Sequence, residues 1–140
     1  MSVIVSKRSE TKLAFLDTAE KLAVHTMTIC SNEKHFPKRY RWCLTSKIVD
    51  AAVNVVALAN KANAIYPTGR DEIRLRLRYV NEAIAEVSSL LSLIPVAAKM
   101  FQIDLQSKAV AYWLEVATYE KTLLMKWRTR NQEKLDGLPE

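Results

Sequence analysis

Apolar residues recur along this chain three or four positions apart, in four separate runs, and each run reads as a helix. The first covers about 10–31. Leu13, Leu16, Ala23, Met27 and Cys30 make its stripe, Phe15, Leu22 and Ile29 widen it, and Ser9 is the expected N-cap. The second covers 37–66. Leu44, Ile48, Ala51, Val55, Leu58, Ala62 and Ile65 alternate in spacings of four and three, an unbroken heptad seam. Pro37 suits a first helical turn, where its missing N–H costs nothing, and Pro67 closes the run. The third covers 69–94 and follows Thr68, which forms a capping-box pattern with Asp71. Its seam is Leu77, Val80, Ile84, Val87, Leu91 and Ile94; Pro95 either ends the helix or kinks it, with Val96, Ala97 and Ala98 able to carry it to 98. The fourth covers 104–130, with Asp104 as N-cap and Leu105, Ala109, Tyr112, Val116, Tyr119 and Leu123 as its seam. Trp113, Leu124 and Trp127 widen that face. Residues 1–8 and 131–140 are expected to be flexible ends.

Helices of this length joined by short links pack antiparallel to their neighbours, and heptad spacing gives crossing angles near +20°. The expected fold is therefore all-α: an antiparallel up-down four-helix bundle, one domain over 1–140. Only two glycines occur, and no strand candidate or internal repeat appears. Helix two carries more apolar surface than one stripe needs. Ala51, Ala52, Val53, Val55, Val56, Ala57, Leu58 and Ala59 are interrupted by Asn54 alone. One bundle buries one stripe, so the remainder predicts a subunit interface. Trp113 and Trp127, outside the narrow seam of helix four, point the same way more weakly.

Charge sharpens this picture. The chain has 21 basic and 15 acidic residues, a net of +6. Residues 34–66 hold Lys34, Lys38, Arg39, Arg41, Lys47 and Lys61 against Asp50, so the excess is concentrated there. Basic side chains interleaved with Tyr40 and Trp42 suit phosphate contact and base stacking. The competing reading is a charged helix start with its aromatics facing the core. Cations at a helix N-terminus oppose its dipole by roughly a few tenths of a kcal/mol each, which favours a partner for them. A second basic group is Arg70, Arg74, Arg76 and Arg78. Arg74 and Arg78 share a helix face and repel, while Asp71 and Glu82 stand at spacings that can neutralise one each. A salt-bridged surface and a nucleic-acid contact explain this group equally well.

No constellation of catalytic residues appears. His25 reads as a surface or semi-buried side chain, and His35 as a solvated or phosphate-facing one. No His, Cys or carboxylate pair falls at metal-ligand spacing, and the Glu-x-x-His motif of di-iron bundles is missing. Glu82 and Glu86 read as a solvated face. The expectation is a protein without enzymatic activity, metal or cofactor. Cys30 and Cys43 read as reduced, semi-buried thiols in a cytoplasmic protein. The N-terminus does not resemble a signal peptide, and no apolar stretch approaches bilayer length, so no membrane partner is expected.

The stretch Phe36-Pro-Lys-Arg-Tyr-Arg-Trp-Cys-Leu-Thr-Ser-Lys-Ile-Val-Asp-Ala-Ala-Val53 resembles the helix-two opening of the four-helix-bundle proteins encoded within ribosomal RNA intervening sequences. Those share an F/L-P-K…Y-x-L-T-S-x-I-x-x-A-A-V pattern and continue into a Ser-Ile-Pro-x-Asn-Ile-Ala-Glu-Gly segment. Here Asn54-Val-Val-Ala-Leu-Ala-Asn-Lys-Ala-Asn63 lacks the proline and the Glu-Gly. The departure points to a related branch, the accessory variability determinant (Avd) proteins of diversity-generating retroelements. Ile73-Arg-Leu-Arg-Leu-Arg-Tyr-Val80 resembles that branch's helix-three pattern of two arginines four apart among large apolar residues. The resemblance covers roughly residues 10–130. It implies a homopentameric barrel with a basic surface and pore. It also implies binding to a reverse transcriptase and to nucleic acid, template RNA and cDNA, in support of mutagenic retrohoming. Arg74 and Arg78 are the contact positions it carries over. Arg70, Lys38, Arg39, Arg41 and Lys47 join them on charge pattern. The rival expectation is an intervening-sequence-type bundle that self-associates without a nucleic-acid role.

Overall fold

Four long helices carry the chain in this computed structural model, which describes residues 2–139, with side chains from residue 14 onward. They are α1 (Ser2–Cys30), α2 (Ser46–Ala64), α3 (Arg70–Phe101) and α4 (Lys108–Asp136). No strand occurs among the described residues. Each helix packs against its neighbours in sequence, and α1 closes the set against α4. The arrangement is all-α and compatible with an antiparallel four-helix bundle. Its core is Phe15, Leu22, Ile48, Val55, Val80, Val87, Leu90, Ile94, Trp113 and Leu124.

The helix ends depart from expectation in ways the side chains explain. The α1 backbone is already helical at Ser2, so Ser9 lies within the helix rather than at its N-cap. The expected place of Leu13 in the stripe falls outside the described side chains. Pro37 stands outside the helix in extended conformation (φ −61°, ψ 141°). A 3-10 turn (Lys38–Tyr40) and a π turn (Arg41–Thr45) follow it and lead into α2. The Thr68–Asp71 capping box does not form: Gly69 is the N-cap of α3, with no side-chain cap bond, and Asp71 is drawn to Arg74 instead. Pro95 does not stop α3, which continues for another turn and a half to Phe101. A proline removes one helical hydrogen bond. Buried Ile94, Ala97 and Ala98 tie the helix to the core on both sides of it. Gln102, in the left-handed region at φ 57°, then turns the chain, and the Ile103 N–H closes onto the Ala98 carbonyl at 2.9 Å. Ser107, rather than Asp104, is the N-cap of α4; Asp104 accepts the Gln106 N–H at 2.9 Å and shapes the turn before it. The C-terminal segment is helical to Asp136 and buries Asn131, so it does not fray after residue 130.

The seams of α2 and α3 are buried or half-buried as their spacing predicts. In α1 the buried line is Phe15, Ala19, Leu22, Thr26 and Cys30, while Met27 is exposed. In α4 the expected seam is rotated. Leu105, Tyr112 and Tyr119 are exposed, and the core line is Val110, Trp113, Ala117, Glu120, Leu124 and Asn131. Trp113, read from sequence as an interface residue, is fully buried. Its indole N–H donates to the Thr26 hydroxyl (2.8 Å), which donates to the Leu22 carbonyl (2.6 Å). The surplus apolar surface of α2 reduces to exposed Val53 and Ala57 beside half-buried Val56 and Leu58. Contrary to the sequence expectation, the helical segments Lys38–Ala64 and Arg70–Phe101 are long and apolar enough to cross a bilayer by length and composition, a test that core helices of soluble proteins also pass.

Candidate nucleic-acid interface

Helical geometry puts residues four apart on one face, and α3 places Arg74 and Arg78 there with their side chains 58% and 74% exposed. Each has the acidic neighbour that the spacing predicts. Arg74 Nη1 lies 3.6 Å from Asp71 Oδ1, and Arg78 Nε lies 3.7 Å from Glu82 Oε1. These separations exceed the 2.7–2.9 Å of a charge-assisted hydrogen bond, and exposed pairs of this kind contribute at most about 1 kcal/mol. Both guanidinium groups keep donors free for a stronger acceptor.

The other two arginines of the group serve the fold. Arg70 donates from Nη2 to the Leu138 carbonyl (3.1 Å) and from Nε to the Pro139 carbonyl (3.4 Å), tying the C-terminus to the start of α3. Arg76 is buried. It donates from Nε to the Ala62 carbonyl (3.2 Å) and from Nη1 to Asn131 Oδ1 (3.0 Å), and its guanidinium lies 4.7 Å from the Trp127 ring centroid. Asn131 in turn donates to the Trp127 carbonyl at 2.8 Å. One side chain thus joins the ends of α2 and α4 to the start of α3. Its spacing held the signal: Arg76 is three residues after Ile73 and four before Val80, on the buried stripe.

The first basic group occupies the opposite end of the molecule, around the 3-10 and π turns before α2. Lys38 Nζ and Arg41 Nη2 share Glu33 Oε1 at 3.6 and 3.9 Å. Arg39 stacks over the Tyr40 ring at 5.1 Å, and Lys47 is exposed. The structure therefore does not bring 38–47 and 70–78 into one patch. The aromatics of this segment divide. Phe36 and Tyr40 pack on Phe101, each with ring centroids 5.3 Å apart, as the core-facing reading expects. Trp42 is 82% exposed.

The remaining chemistry-bearing groups are scattered. His25 Nε2 donates to the Ala109 carbonyl (2.9 Å), and its ring meets the Tyr112 ring edge-on at 4.8 Å. Glu86 accepts from Asn54 at 3.0 Å across α2 and α3. Both cysteines are free, Cys30 buried and Cys43 exposed; burial pushes the Cys30 thiol up to about 12, which keeps it protonated. Glu120, which sequence reasoning passed over, is fully buried in α4 with neither carboxyl oxygen hydrogen-bonded, and burial pushes its pKa up to about 9. Among the described residues, no three His, Cys, Asp or Glu side chains are grouped to hold a metal. A scan against protein-family models, a search of curated proteins and a search of solved structures each find no match to this chain.

Proposed function

We propose that this chain is a non-catalytic accessory factor of a diversity-generating retroelement, which binds template RNA, cDNA and the reverse transcriptase and supports mutagenic retrohoming. The observation that carries the proposal is the exposed pair Arg74 and Arg78, side by side on α3 and loosely held by one acid each. Phosphate oxygens displace such partners readily, because bidentate arginine–phosphate contacts are shorter and stronger. The sequence resemblance supplies the family. In this reading the protein works as a homopentamer in the cytoplasm, away from membranes, with no metal, cofactor or catalytic residue of its own. Val24 and Met27 on α1, Val53 on α2 and Tyr112 and Tyr119 on α4 are apolar side chains left outside the core that subunit contacts would cover.

Binding of purified protein to structured RNA across a salt series tests this. Affinity is expected to fall steeply with salt, and Arg74→Ala/Arg78→Ala is expected to lower the log–log slope by about two, one per lost phosphate contact. The double variant should fold normally, since its ion pairs are exposed and weak. Absent or salt-insensitive binding, or a double variant that binds like the parent, rejects the proposal.

The same exposed apolar residues support a second reading, an intervening-sequence-type protein that self-associates without touching nucleic acid. Both readings predict a particle larger than the 16.0 kDa monomer in light scattering at micromolar concentration. A monomer contradicts both. Genome context separates them: a neighbouring reverse transcriptase with paired template and variable repeats favours the first, and a position inside a ribosomal RNA gene the second.

A further inference from the structure

We propose that Trp42 and the groove beside it receive an unpaired nucleobase, so that the α1–α2 end of the molecule takes single-stranded rather than duplex nucleic acid. The proposal rests on the nucleic-acid reading above and specifies the form of strand and the side chain that meets it. Three observations converge on this place.

Trp42 is the aromatic that the fold leaves unused. Trp113 is fully buried, Trp127 stacks on Phe15 at 4.3 Å, and the neighbouring Tyr40 packs on Phe101. Trp42 stands 82% exposed on a π turn, a local geometry that recurs at functional sites.

Next to it lies a groove of about 310 Å³ between the end of α1 and the start of α2. Met27 and Val49 give it apolar walls, and Arg41, Trp42, Thr45 and Asp50 line the rest. Thr45 is 8% exposed and its hydroxyl has no hydrogen-bond partner. An unmet buried hydroxyl is uncommon in a folded protein. Rotation of that side chain offers a base edge a donor or acceptor, and the Asp50 carboxylate can accept from a ring N–H such as that of uracil or from an exocyclic amino group.

Charge selects the occupant. Arg41 lines the groove, and Lys38, Arg39 and Lys47 lie within five residues of Trp42 in sequence, with Glu33 and Asp50 the acids nearest them. Glu33 holds Lys38 and Arg41 at 3.6 and 3.9 Å, distances at which a phosphate replaces a carboxylate without breaking a tight pair. An exposed aromatic face in a segment rich in cations suits a strand whose bases are unstacked; a duplex hides its π-faces.

The test titrates the protein with a short oligouridylate and with an RNA duplex of equal length, following tryptophan emission and affinity. The oligouridylate is expected to quench Trp42 emission. Trp42→Ala should bind it about 10-fold more weakly, with Trp42→Phe between the two and duplex affinity unchanged. Trp42 has no core contact to lose, so both variants remain folded. If Trp42→Ala binds oligouridylate like the parent while Arg74→Ala/Arg78→Ala still weakens RNA binding, the groove proposal falls and the nucleic-acid reading stands. If the parent binds neither probe at low salt, both fall. If Trp42→Ala alters only the mass in light scattering, a second copy covers this tryptophan and the proposal is overturned.

Discussion

Glu120→Gln is expected to raise the stability of the protein by about 3 kcal/mol at pH 7, and Glu120→Leu by at least as much. The carboxyl is fully buried in α4 with no hydrogen-bond partner, and burial pushes its pKa up to about 9, from the 4.5 of an exposed glutamate. The folded protein therefore keeps a proton that the unfolded chain releases. Below pH 4.5 both states hold it and the residue contributes nothing to the pH dependence. Between pH 4.5 and 9 the unfolded chain gains about 1.4 kcal/mol per pH unit by ionising, so the parent loses stability as pH rises. Glutamine cannot ionise, and leucine also removes the unpartnered polar atoms. Urea unfolding of parent and variant at matched protein concentration, at pH 5 and pH 8, measures the effect. A variant whose advantage does not grow with pH shows that Glu120 is not held neutral.

The second large effect runs the other way. Arg76→Ala should destabilise the fold by about 3 kcal/mol, because it leaves the Ala62 carbonyl and the Asn131 amide oxygen buried without their donor and strips the cation from the Trp127 face. Arg76→Met separates the contributions. It keeps most of the packing and removes a charge whose burial already lowers the guanidinium pKa. Its loss should be smaller by the packing it retains on Trp127, since both acceptors lose their donor as in the alanine variant. Thermal unfolding of the two variants decides the matter; equal losses would mean that the hydrogen bonds, which both variants lose, rather than packing on Trp127 hold this corner. Neither variant should change the salt slope of RNA binding, because Arg76 is buried and makes no phosphate contact.

These two residues also show why the sequence was legible in some places and not in others. In α2 and α3 the buried positions are almost all aliphatic, so the heptad pattern and the core coincide. Along α4 the core line contains Glu120 and Asn131, and a search for apolar spacing steps around them. It settles instead on a seam in which Val116 is buried but Tyr112 and Tyr119, one position away from Trp113 and Glu120, are exposed. The same blindness hid Arg76. The arginine pairs with Asp71 and Glu82 were legible because they depend only on local helical spacing. The separation of the two basic groups was not. It follows from which end of α2 each connects to, and that is set by packing.

That separation has a thermodynamic consequence. Arg76 bonds the Ala62 carbonyl, 15 residues after Lys47, so α2 holds the two groups about 22 Å apart at 1.5 Å rise per residue, well beyond the ~8 Å Debye length at physiological ionic strength. Charges at one end neither screen nor strengthen those at the other. For a ligand short enough to touch one end, losses from substitutions at the two ends simply add. Departure from additivity requires a single strand that bridges both. The helix is in effect a ruler, and the shortest ligand for which a double-mutant cycle fails to close reads out the footprint of what the protein holds.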